Sequence, residues 1–214
     1  MKTRDRIVVA ARALFNEQGY GAVTTAALAA QCGIAEGNLW YHFKTRRDLL
    51  EAIADQFAAV IDARLALAPA AQGDALADYT RLIGALMDEF RTFRFLYRDQ
   101  AAYGEHVAVI AERAPEWTAK TFTQIEVHLA RLVDTGQLDW PRAALRDLAI
   151  NATIILRYGL EHYRELGEPT GTGTGAVRLT LKRHLTLFEH QLDPESATRL
   201  HGAIDAMEQG ALAA

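Results

Sequence analysis

Apolar positions recur every three to four residues along almost the whole of this chain. Arg4 to Gln18 sets the pattern: Ile7, Ala10, Ala11, Leu14 and Phe15 share one stripe, and Gly19 closes the run. Strand-like alternation is absent, and the prolines are few and stand at breaks. The pattern predicts an all-α chain.

Two short helices follow the first. Thr24 and Thr25 stand where a helix begins, because a Thr oxygen can accept from an orphan N–H one turn further on. The run Ala26 to Gln31 is Ala-rich, which favours helix and lets another helix approach closely. Gly33 suits a left-handed C′ position, and Ile34 can plug the apolar gap. Ala35 leads into a second helix, Glu36 to Phe43, with Leu39 and Phe43 as its buried stripe. Gly37, Asn38, Trp40, Tyr41 and His42 are left to face outward, and Lys44, Arg46 and Arg47 follow at once. A short helix, a glycine turn and a second short helix make a helix-turn-helix. Aromatic and basic groups at its exit suit phosphates and base edges.

Further on, the periodicity predicts a long helix from Arg46 to about Ala66 and a small-residue loop at Pro69 to Gly73. A helix capped by Asp74 reaches about Tyr97. A shorter helix covers about Asp99 to Glu112, stopped before Pro115, and another runs from Glu116 to Thr135. Pro141 opens a helix to about Leu166. GEPTGTGTG at Gly167 to Gly175 is a flexible connection. Val177 to Leu192 and Pro194 to Gln209, with Asp193 as N-cap, complete the set.

The stretch Arg4 to Leu50 resembles the DNA-binding domain of the TetR family of bacterial transcriptional regulators. The resemblance lies in Ile7, Ala10, Ala11, Leu14, Phe15 and Gly19-Tyr20, then Thr24, Leu28-Ala29 and Gly33-Ile34. It continues through Gly37, Leu39, Tyr41-His42-Phe43 and Leu49-Leu50. GNLWYHFKTRRDLL is similar to the recognition-helix region of the family's multidrug-sensing members. The resemblance implies a helix-turn-helix head at 1–50 and a helical effector-binding and dimerisation body at 51–214. It implies a ligand-responsive regulator, a repressor, that meets a near-palindromic double-stranded DNA operator as a homodimer. Gly37, Asn38, Trp40, Tyr41 and His42 would enter or border the major groove. Thr24 or Thr25, Tyr41, His42, Lys44 and Arg46 would contact phosphates. Glu36 departs from relatives, which often carry Lys, Pro or a small polar residue there. It could accept from a cytosine amino group or stabilise the positive helix N-terminus. Trp40 stands where Tyr is more usual.

Charge distribution supports this division. The chain of 214 residues has formal net charge −4. Within 1–50, seven cations face four carboxylates for a net +3, so the remainder carries −7. A basic head on an acidic body is compatible with DNA. No apolar run reaches the roughly 20 residues of a membrane span, and no signal peptide is read. The single Cys32 cannot form an internal disulfide, which fits a cytoplasmic protein.

Two helices are apolar on more than one face. Ile150, Asn151, Ile154, Ile155, Leu156, Tyr158 and Gly159 go most of the way round one. On the other, Val177, Leu181, Leu185, Phe188 and Leu192 form a stripe with Leu179 and Leu187 off it. A second buried face suggests a second subunit, and the resemblance implies dimerisation through about Pro141–Leu166 and Val177–Leu192. A thicker monomer core is the alternative.

For a small apolar or amphipathic effector, the candidate lining is Met87, Phe90, Tyr103, Trp117, Phe122, Ile125, His128, Asn151 and Tyr158. Aromatic residues at helical spacing are also ordinary core. His184 and His190 are six apart, and His106, His128, His162 and His201 stand on different helices, so no metal site or cofactor is read. No nucleophile with a nearby base and no phosphate loop is present: GTGTG lacks a following Lys-Ser/Thr and a preceding strand. The chain is not read as an enzyme. A helical small-molecule binding or interaction protein without sequence-specific DNA binding is the other open reading.

Overall fold

The computed structural model describes residues 2–99, 103 and 107–209. The described residues form α-helices, short 3-10 turns and one isolated β-bridge, Leu138 with Leu192. The helices are α1 (Thr3–Gln18), α2 (Thr25–Cys32), α3 (Glu36–His42), α4 (Arg46–Leu65), α5 (Ala75–Thr92) and α6 (Arg94–Arg98). They continue as α7 (Ala108–Asp134), α8 (Leu145–Glu165), α9 (Ala176–Leu185) and α10 (Pro194–Gln209). The expected all-α class is what the chain adopts. No described helix is long and apolar enough to cross a membrane.

The chain divides into two compact units, residues 1–62 with 92–115 and residues 63–91 with 116–214. In the first, the α1 stripe of Ile7, Ala11, Leu14 and Phe15 is buried with Leu28, Leu39, Phe43, Leu49, Leu50 and Ile53. The Phe15 ring lies 5.1 Å from those of both Tyr20 and Phe95. In the second, Tyr79, Leu82 and Leu86 of α5, Ile125 and Leu129 of α7, Ala152 and Leu156 of α8 and Leu181 of α9 form the core.

Four element boundaries differ from expectation. The helix from Asp74 does not reach Tyr97; it breaks at Phe93, whose φ and ψ are −117° and 30°. The cause lies on α1. The Asn16 amide donates to the Thr92 carbonyl at 3.0 Å and accepts from the Phe95 N–H at 2.9 Å, so it satisfies both sides of the break. Arg94 and Arg98 in turn donate to the Asn16 carbonyl at 2.8 and 3.1 Å, satisfying the C-terminal end of α1.

Pro115 does not end a helix either. It lies inside α7, where its missing N–H removes one rung. Burial of Ile110 before it and Trp117 after it offsets an interior-proline cost of about 3 kcal/mol. Of the helix expected over Asp99 to Glu112, residues 100–102 and 104–106 lie outside the described residues, and 108–112 belong to α7.

The helix beginning near Val177 stops at Leu185 rather than Leu192. Here the backbone finds a better partner across the chain: the Asp139 N–H donates to the Gln191 carbonyl at 2.8 Å and the Asp193 N–H to Gln137 at 3.1 Å. Phe188 still turns inward, 1% exposed. α8 is likewise preceded by a 3-10 turn, Arg142–Ala144, rather than opened directly by Pro141.

Candidate nucleic-acid interface

The turn between α2 and α3 is built as its residue types require. The Thr24 hydroxyl oxygen accepts from the Ala27 N–H at 3.2 Å, capping α2. At the other end Gly33 takes φ 64° and ψ 36°. Its N–H donates to Ala30 at 3.0 Å, and the Ile34 N–H donates back to Ala29 at 3.0 Å. That is a Schellman closure, which satisfies the Ala29 and Ala30 carbonyls at the end of α2.

α3 is anchored by one buried stripe. Leu39 and Phe43 are 1% and 2% exposed, and the Arg4 guanidinium covers the Phe43 ring at 4.7 Å. Glu36, Gly37, Asn38, Trp40 and Tyr41 face solvent, as does Lys44 just beyond the helix. Tyr41 is 85% exposed, an unusual position for so large an aromatic ring. His42 is half-buried and holds Tyr41 edge-on at 5.4 Å between centroids. Thr24 is exposed and Thr25 half-buried at the start of α2. The structure thus leaves Thr24, Glu36, Gly37, Asn38, Trp40, Tyr41 and Lys44 accessible on the head.

Arg46 departs from its expected place as a phosphate ligand. Its Nη1 donates to the Val23 carbonyl, and its guanidinium lies over the rings of Tyr20 at 4.3 Å and Phe15 at 5.3 Å. Nε and Nη2 are buried without a hydrogen-bond partner. The guanidinium is turned into the head because stacking on two rings and one carbonyl acceptor hold it there. Arg47 faces solvent but is paired with Glu51 at 2.8 Å.

A feature missed in the sequence holds the start of α4. The Thr45 hydroxyl accepts from the Asp48 N–H at 3.1 Å and donates to the Asp48 carboxylate at 2.9 Å. The Asp48 carboxylate accepts the Thr45 N–H at 3.1 Å. The signal was legible as Thr45-Arg46-Arg47-Asp48, a Ser/Thr-x-x-acid box. Asn16, which organises the Phe93 break, gave no such local signal.

The residues proposed for an effector are not gathered in one place. A cavity of about 420 Å³ lies within the second unit, lined by the end of α4, the following loop, α7 and the start of α8. His128 lines it, with Gln124 and Arg146. Met87, Phe90, Trp117 and Ile125 are buried core residues of the same unit outside that lining. Phe122 is half-buried beneath the Arg146 guanidinium, 5.5 Å from its ring. Tyr103 belongs to the first unit, where its ring packs near Tyr20 and Phe95. Asn151 and Tyr158 lie exposed on α8, Tyr158 by 56%. Burial lowers the His128 pKa from its ordinary value, and its Nδ1 lies 2.8 Å from the Gln124 carbonyl. Cys32 is buried, and burial raises its thiol pKa, so it is not an activated thiolate. Among the described residues no group of three metal-ligating side chains occurs, and His106 lies outside them.

Comparison with known proteins bears on both units. Residues 7–53 match the family described as bacterial regulatory proteins of the tetR family, and residues 56–200 match the family described as bacterial transcriptional repressor, TetR. Over 51 residues the chain is 39% identical to the HTH-type transcriptional regulator UidR of Escherichia coli (strain K12), covering 24% of this chain. That match spans only 26% of the curated relative's length. Among solved structures, a TetR-family transcriptional regulator from Marinobacter aquaeolei VT8 superposes with TM-score 0.75 at 24% identity, covering 97% of this chain and all of that one. The SmeT–triclosan complex superposes with TM-score 0.57 at 22% identity, covering 91% and 93%. At these identities the two structures show a shared fold. With its head matched over residues 7–53 and most of the remaining chain matched over 56–200, the protein belongs to the TetR family of bacterial transcriptional regulators.

Proposed function

We propose that this chain is a ligand-responsive repressor that binds a near-palindromic DNA operator as a homodimer. The observation that carries this reading is the surface of α3: Trp40 and a largely exposed Tyr41, beside Asn38 and Lys44, on a helix fixed behind a left-handed Gly33 turn. Exposing two large aromatics to water is unfavourable unless a partner covers them. Gly37, Asn38, Trp40, Tyr41 and His42 enter or border the major groove, and Glu36 stands at the helix's N-terminal edge. Thr24, Thr25, Tyr41, His42 and Lys44 meet phosphates. Arg46 supports them from within the head.

The dimer uses the outward faces of α8 and α9. Ile154, Tyr158 and Leu179 are 49%, 56% and 42% exposed there, while the same helices bury their other faces in the core. Two heads on one dimer meet half-sites one or more helical turns apart, hence the near-palindrome. The effector is a small apolar or amphipathic molecule held in the second unit; the neighbouring SmeT structure contains triclosan. α4, which contributes residues to both units, carries the signal. A 100-fold loss of DNA affinity needs only about 2.7 kcal/mol of differential binding.

A binding assay on the fragment upstream of the protein's own gene, at two salt concentrations, tests the reading. Tight, sequence-selective and salt-dependent binding is expected, and replacing His42 and Lys44 together should abolish it while circular dichroism stays unchanged. Binding that is indifferent to sequence would overturn the proposal.

A further inference from the structure

The cavity against the last turn of α4 has a chemistry of its own. Its walls are apolar: Leu65, Leu67 and Pro69 on one side, Val127 on the other. Gln124 and His128, 8% and 1% exposed, form its buried end. Both are already occupied. The Gln124 amide donates to the carbonyls of Arg64 at 2.6 Å and Leu67 at 2.8 Å and accepts from the Arg64 guanidinium at 2.8 Å. Its open rim carries Lys120 and Arg146, and no carboxylate is among the described residues that line it.

We propose that this cavity binds an amphipathic organic acid, with its apolar body against Leu65, Leu67 and Val127 and its carboxylate between Lys120 and Arg146. The inference deepens the effector part of the function proposed above and rests on that reading for its regulatory meaning. The volume, about 420 Å³, lies in the range of small-molecule sites. Lys120 is paired with Glu116 at 2.6 Å, and Arg146 with Glu126 at 3.1 Å and Thr123 at 3.2 Å. Lys120 and Arg146 are 58% and 42% exposed, so their pairs are solvent-screened and weak. An entering carboxylate replaces one weak partner with another of the same charge, at a position where an apolar tail adds its own burial. An amphipathic cation gains less, because the two charges in the lining are both cationic, while Glu116 and Glu126, which pair with them, stand outside it.

The signal has a physical route. Gln124 holds the carbonyls that close α4, and Arg64, which it also contacts, is tied to Glu89 at 2.8 Å with both side chains buried. A body seated against Leu65 and Leu67 therefore bears on the turn that Gln124 secures.

Titration calorimetry on the full chain tests the site with three probes of one tail length: decanoate, decanol and decyltrimethylammonium. Decanoate is expected to bind at least tenfold more tightly than decanol, and the cation more weakly than decanol. Arg146→Gln with Lys120→Gln should bring decanoate down to the level of decanol while leaving decanol unchanged, which also shows that the cavity still forms. Ala119→Phe, at a lining position exposed to solvent, should block both. The inference is overturned if decanoate gives no heat, if the cation binds as well as the acid, if the double variant leaves decanoate affinity within twofold, or if Ala119→Phe binds normally. Operator binding is scored separately. If decanoate binds as expected but the upstream DNA is not bound, the ligand site stands and the regulatory reading falls. The reverse result leaves the regulator and removes this site.

Discussion

Arg46 shows how a side chain's surroundings can change its role. Its guanidinium stacks on Tyr20 and Phe15 and reaches the Val23 carbonyl, so its planarity matters as much as its charge. Arg46→Lys keeps the charge and loses the stack. It should lower stability against guanidinium by about 1–2 kcal/mol. A phosphate ligand would behave differently, tolerating Lys with little loss of stability. His184 offers a second test. It is fully buried, and burial pushes its pKa down to about 3, with the Tyr79 hydroxyl 2.8 Å from Nε2. The folded chain therefore keeps this ring neutral, whereas the unfolded chain protonates it near its ordinary value of 6.5. The stabilisation is complete above about pH 6.5 and is lost as pH falls toward 3, at about 1.4 kcal/mol per unit for one proton. His184→Gln retains a partner for Tyr79 but cannot take up that proton. Its melting temperature should fall less steeply with acid than that of the parent, and parallel curves would show that His184 is not responsible.

Between elements, the tightest constraint is the crossing of α8 and α9. A Cβ placed on Gly159 would lie 2.3 Å from the Thr180 methyl and 2.7 Å from its hydroxyl, so the Thr180 side chain already fills the space over the Gly159 backbone. Gly159→Ala should force them apart and cost about 1–3 kcal/mol in thermal unfolding. Adding Thr180→Ala removes the two closest atoms and leaves only the Cβ at 3.0 Å, so it should recover part of the loss; no recovery would mean that the strain lies elsewhere. The same scale explains what could be read in advance. Thr24, Gly33 and Asp193 stated their roles locally, because caps and left-handed turns depend on neighbours a few residues away. The break at Phe93 depends on Asn16, 76 and 79 positions distant from its two partners. The early end of α9 depends on backbone pairing with 137–139. Periodicity carries no trace of either. On α3 the outward residues were legible because Leu39 and Phe43 fix the inward side. Arg46 was not, because its rings and carbonyl arrive from α1 and the loop after it.

For the whole molecule, charge segregation was visible from the start, with +3 on the first 50 residues and −7 on the rest. The cavity was not, because its lining draws on three separate stretches and shares only His128 with the nine residues named as candidate effector lining. The exposed apolar face of α8 and α9 gives a prediction at this scale. Ile154→Asp with Leu179→Asp places charges where the proposed partner subunit would bury them. Sedimentation should show monomers at concentrations where the parent is dimeric, with helical content unchanged and operator affinity reduced at least tenfold. A dimer that survives both substitutions would place the interface elsewhere.

The buried pair of Arg64 and Glu89, 3% and 1% exposed, limits how this lineage can change. Altering either residue alone breaks a buried ion pair, at about 3–5 kcal/mol, a large share of a domain's stability. Replacing both with apolar residues of similar volume can be neutral. The tolerated states are therefore separated by a valley that single substitutions must cross. Related sequences should carry the two positions either charged together or apolar together, with mixed combinations rare.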